Sequence, residues 1–61
     1  MSNEQMREIC KAHFYGHTVE EIASLENVEV EDVIGAISDG KSEGVFQELQ
    51  ERKQQLEEGV E

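Results

Sequence analysis

The apolar residues of this chain fall into short sets with helical spacing, and glycine or asparagine punctuates them. Met6, Ile9, Cys10, His13 and Phe14 sit at i, i+3, i+4, i+7 and i+8, which is one face of an α-helix. Val30, Val33, Ile34 and Ile37 repeat the first four of those steps. Between them Val19, Ile22, Ala23 and Leu25 give a shorter apolar side. There is no proline and little strand-like alternation. The pattern predicts an all-α domain with helices over 3–15, 19–25, 30–38 and 43–58.

The expected helix ends follow from the flanking residues. Ser2 and Gln5 have capping-box spacing, as do Thr18 and Glu21, so each pair can open a helix. Gly16 suits a left-handed stop after Tyr15. Asn27 tolerates the same conformation and can turn the chain after Glu26. Glu31 and Asp32 suit the positive end of a third helix, and Asp39-Gly40 is read as its stop. Ser42 is then expected to cap helix four, whose apolar positions are Val45, Phe46, Leu49 and Leu56. Phe46, Leu49, Lys53 and Leu56 form a short heptad seam with one polar break. That seam is the candidate dimerisation surface; packing across the domain is the competing use, above all for Phe46 and Leu49. The rest of Gln47–Glu58 is Glu, Gln, Arg and Lys, so the helix end is expected in water, frayed where Glu57-Glu58 meets the negative end of the dipole. Gly59-Val60-Glu61 reads as a tail. No internal repeat or second domain is visible.

Sixty-one residues support one small, marginal core. The single cysteine, Cys10, excludes an internal disulfide and fits a reducing compartment. No apolar run approaches the roughly 20 residues of a membrane span, and Met1–Arg7 is polar rather than signal-like. A cytoplasmic protein is the expectation. The net charge of −10 favours solubility and repels nucleic acid and anionic membranes.

The stretch GHTVEEIASLENVEVEDVIGAIS, residues 16–38, carries a resemblance. Glu21-Ile22-Ala23 looks like the first-helix signature of the helix-turn-helix in bacterial transcription regulators and sigma-factor-like domains. Asn27 stands at the turn glycine, Val28 at the apolar residue after it, Val33 at the buried position of the second helix, and Ala36-Ile37 at its last inward positions. The resemblance covers 17–38 and implies a three-helix core whose second motif helix reads DNA. Glu26 departs from it, standing where that family has an apolar residue, and Asn27 replaces glycine.

Charge departs further. From Ala12 to Gly40 there is no Lys or Arg, and Glu20, Glu21, Glu26, Glu29, Glu31, Asp32 and Asp39 supply seven acids. DNA binding replaces counterions with Lys and Arg. The positions matching the family's DNA-facing surface are Glu29, Val30, Glu31, Ile34, Gly35 and Ser38, and none is basic. The chain's cations, Arg7, Lys11, Lys41, Arg52 and Lys53, lie elsewhere.

Val30 and Ile34 are one turn apart, flanked by acids. In a helix-turn-helix they face outward, as a protein-binding surface; alternatively helix four folds back over them with Val45, Phe46 and Leu49. Cys10, His13 and His17 have C-x2-H-x3-H spacing, but Gly16 interrupts the helix and no fourth ligand is evident, so no metal or other cofactor is expected. Glu20 and Glu21 point in different directions as helix neighbours, Glu21 is committed to a cap, and no Ser/His/Asp grouping or phosphate loop is present. An enzyme is not expected.

The sequence therefore reads as a small acidic regulatory protein acting by protein–protein binding. The expected partner presents a basic, nucleic-acid-binding surface, which the carboxylates occupy by imitating phosphate. Glu20, Glu26, Glu29, Val30, Glu31, Asp32, Ile34 and Ser38 are the candidate partner-binding residues. Chains this short, acidic and cysteine-poor resemble accessory proteins of phages and mobile elements. The alternatives are a DNA-binding helix-turn-helix regulator, homodimeric through helix four, and a structural oligomer subunit.

Overall fold

The Ser2 hydroxyl accepts the Gln5 backbone N–H at 3.2 Å and opens α1, Asn3–Phe14. At the other end Gly16 takes φ +103°. Its N–H and that of His17 return to the carbonyls of His13 and Ala12, both at 3.1 Å, the paired closure a left-handed residue permits. The helix thus ends within a residue of the expected boundary. The computed structural model describes the backbone of residues 2–58 and the side chains of residues 2–54.

The second helix, α2, spans Val19–Glu26. Its capping box is complete: the Thr18 hydroxyl accepts the Glu21 N–H at 3.1 Å, and the Glu21 carboxylate accepts the Thr18 N–H at 3.2 Å. Asn27 closes α2 at φ 57°, ψ 47°. The Val28 N–H reaches the Ala23 carbonyl at 3.0 Å, and Val28 packs against the core. Asparagine therefore does here what glycine does at the end of α1. Leu25 departs from expectation: it is 71% exposed and lies off the buried side set by Ile22 and Ala23.

The third helix, α3, runs Val30–Ser42, four residues beyond the expected stop. Asp39-Gly40 does not end it. Gly40 is buried inside the helix, and its missing side chain serves packing: a Cβ there would overlap Cys10 Sγ and touch the Phe46 ring. The stop falls instead at Gly44, φ +78°. Ser42 is consequently the last residue of α3 rather than a cap, and α4 begins two residues later than expected, spanning Val45–Glu58.

The core gathers Met6, Ile9 and Cys10 from α1, Ile22 and Ala23 from α2, Val33, Ala36 and Ile37 from α3, and Val45 from α4. Three helices surround it, and α4 lies across α1 and α3 without touching α2 among the described residues. Cys10 is fully buried and donates its S–H to the Ala36 carbonyl at 3.5 Å. Burial, with a smaller contribution from the Asp39 charge, pushes its thiol pKa up, so the group stays protonated as a small hydrophobe.

Glycine inside a helix costs about 1 kcal/mol relative to alanine, yet alanine at position 40 meets the Cys10 sulfur. Gly40→Ala is expected to destabilise the fold by about 1–3 kcal/mol through overpacking, read as a lower urea midpoint. Adding Cys10→Ala should recover part of that loss. Equal stability of Gly40→Ala and the parent would contradict the close approach.

Candidate functional site

The start of α3 is built from acids. Glu29 is its N-cap, and its backbone N–H donates to the Asp32 carboxylate at 3.4 Å. Glu31 and Asp32 occupy the first turn, where the helix dipole favours negative charge. The same residues that begin the helix thus create a carboxylate cluster on the surface. Glu29, Glu31, Asp32 and Glu20 are exposed, and Glu26 is half-buried.

Two apolar residues of α3 are left out of the core, Val30 between Glu29 and Glu31 in the chain and Ile34 one turn further on. Val30 is 36% exposed and Ile34 54%. Helix four does not fold over them as the covered alternative required. Its Val45 enters the core, and Phe46 and Leu49 pack beside it. Ile34 instead forms one wall of a shallow groove with Val19, Ile37, Ser38, His13 and Lys41. Five of the eight expected partner-binding residues (Glu29, Val30, Glu31, Asp32 and Ser38) thus share α3 or its cap with Ile34, while Glu20 and Glu26 lie on α2. His13, Val19, Ile37 and Lys41 are additional groove residues that sequence reasoning left out. Lys41 was legible in principle, being two helical turns beyond Ile34 on the same side. His13 and Val19 join the groove only through tertiary packing.

The cations gather elsewhere. Arg7, Lys11 and Arg52 line a second concavity between α1 and α4, over Val45 and Leu49. Glu48 lies between two of them, 3.3 Å from Arg7 and 3.4 Å from Arg52. The Lys53 ammonium stands 5.9 Å from the centre of the Phe14 ring, within cation–π range. Of the proposed heptad seam, Phe46 meets His13 edge-on with centroids 6.3 Å apart, Leu49 packs on the core, and Lys53 covers Phe14. The Leu56 side chain lies outside the described residues.

Cys10, His13 and His17 do not converge. Cys10 is interior, His13 faces Phe46, and His17 lies beyond the Gly16 turn with Nδ1 3.6 Å from Glu21. Glu21 is likewise occupied at its cap. Its pKa is lowered, first by the Thr18 backbone N–H, then by the Thr18 hydroxyl and by His17.

Comparison of the chain with protein-family models, curated proteins and solved structures finds no match. The surface itself therefore carries the functional argument.

The lowered Glu21 pKa has a definite consequence for stability. Its folded value lies below its unfolded value, so the contribution is complete above the unfolded value and is lost as pH falls through the folded one. Urea unfolding at a series of acidic pH values should show this loss. Glu21→Gln should flatten that part of the profile. A variant that follows the parent curve would show that the cap carboxylate does not supply it.

Proposed function

We propose that the protein is a small acidic binding module that engages another protein through the α2–α3 face. The partner is inferred to present a basic surface of the kind that holds nucleic acid, with Glu20, Glu26, Glu29, Glu31 and Asp32 standing in for phosphates. The observation that supports this reading is the exposed pair Val30 and Ile34 on the helix whose cap and first turn carry Glu29, Glu31 and Asp32. Charge would steer the encounter and select the partner, and the apolar pair would supply desolvated contact. The α2–turn–α3 unit is read as a helix-turn-helix frame used for protein recognition.

A second reading, DNA binding, draws on the clustering of Arg7, Lys11 and Arg52. It is the weaker one, because Glu48 pairs with both arginines and Glu8 lines the same concavity. Each carboxylate opposes the phosphate attraction those cations would need.

The two readings separate in a mobility-shift assay on random DNA at low salt, run beside a pull-down from cell extract. The proposal expects no DNA shift, and capture of a basic protein that weakens as salt rises. Replacing Glu29, Glu31 and Asp32 by Lys should slow association by about tenfold or more. Those acids also begin α3, so Ile34→Asp serves as the companion variant. It leaves the cap intact and should still weaken capture while circular dichroism shows the helical fold retained. Salt-sensitive DNA binding without a captured protein would overturn the proposal.

A further inference from the structure

Between α3 and α4 the chain changes direction at one residue. Glu43, the C-cap of α3, has φ −92° and ψ 0°, at the border of the right-handed region. Gly44 then takes a left-handed φ of +78°. Its N–H donates to the Lys41 carbonyl at 3.3 Å, and its carbonyl already accepts the Glu48 N–H at 3.1 Å. Gly44 thus closes α3 and opens α4, and turning it to right-handed dihedrals would join the two into one continuous helix. A Cβ there would meet nothing within 4 Å, so the glycine serves its backbone angle and not packing. The helix beyond this turn is lightly held. It buries one side chain, Val45, with Phe46 and Leu49 half-buried beside it, and residues 50–54 are exposed. Every other member of the core belongs to α1, α2 or α3. The further ties of α4 to α1 are the exposed Arg7–Glu48 pair and Lys53 over the Phe14 ring, and exposed ion pairs contribute little.

We propose that α4 is a detachable arm latched by Gly44. It leaves the α1–α3 surface as a unit, and a second copy of the chain, its own arm detached, takes it up on the same surface in a reciprocal exchange. The occupant is fixed because that surface already fits this helix. Val45 enters the core, Phe46 lies beside Gly40 and meets His13 edge-on, and Glu48 reaches Arg7. An exchanged dimer repeats each of these contacts between copies, and the structural difference is confined to the Gly44 turn. While Gly44 stays left-handed, the arm is kept on its own chain. The proposal does not depend on the α2–α3 face or on what that face binds.

Native-state hydrogen exchange on the parent chain tests the arm without any substitution. The amides of Glu48, Leu49 and Gln50, at the start of α4 and away from its free end, should share one opening. Their protection should be about tenfold or more below that of Ile9, Cys10 and Val33. Equal protection of the two sets would overturn the detachable arm. Gly44→Ala tests the latch. Alanine is disfavoured at a left-handed φ and favoured in a helix, so straightening should gain about tenfold at each hinge. The dimerisation constant, which straightens two hinges, should rise about a hundredfold. Gly44→Asn is the control, because asparagine already holds a left-handed turn in this chain at Asn27, φ 57°; it should stay close to the parent. Light scattering at about millimolar protein reads the mass. Gly44→Ala dimers mixed from labelled and unlabelled copies should show Phe46-to-His13 proton contacts between copies. Each copy carries a net charge of −10, so added salt should favour the dimer. A Gly44→Ala chain that stays monomeric, loses its helical signal or dimerises no more than Gly44→Asn would overturn the latch. A dimer whose Phe46–His13 contacts lie only within each copy, or one that salt dissolves, would overturn the exchange.

Discussion

The close approach of α3 to α1 at Gly40 and Cys10 sets the rest of the arrangement. Gly40 lets the α3 backbone reach the Cys10 side chain, which puts that sulfur under the Ala36 carbonyl and fully out of water. Because the contact lies near the C-terminal end of α3, it holds the helix together well past the acids at its start. The turn at Gly44 then delivers Val45 into the core and Phe46 against the same glycine. Since α4 is fixed on α1 and α3, the opposite flank of α3 stays open.

Charge is divided along the same lines. The acids that start α2 and α3 satisfy the local demand of helix N-termini for negative charge, and they also make that surface negative. The cations sit mainly on α1 and α4, where Glu48 holds two arginines and Phe14 supports Lys53. Local helix chemistry and long-range charge are therefore met by the same side chains on the α2–α3 side. Lys41 is the exception, a cation carried on α3 itself.

Much of the fold was legible because helix periodicity and caps are local. The buried sets Met6–Ile9–Cys10, Ile22–Ala23 and Val33–Ile37 follow from spacing, the inward Ala36 was implied by the helix-turn-helix resemblance, and the caps at Ser2 and Thr18 and the turns at Gly16 and Asn27 follow from single residues. Gly40 was misread because a glycine after helical residues has two physical uses, a left-handed stop and a close approach. Only the position of Cys10 distinguishes them. The two errors after it, at Ser42 and at the start of α4, follow from that one. Of the candidate surface, the acids and the Val30–Ile34 pair were visible in the sequence. The groove was not, because Val19 and His13 reach Ile34 only once α1, α2 and α3 have packed.

The buried thiol has a use that has nothing to do with its packing. Cys10 is the only cysteine in the chain, it sits where the first and third helices meet, and burial keeps it in its unreactive protonated form. A thiol reagent must wait for those helices to part before it can react. The chain thus contains a built-in clock for the opening of its own core, readable without altering a residue.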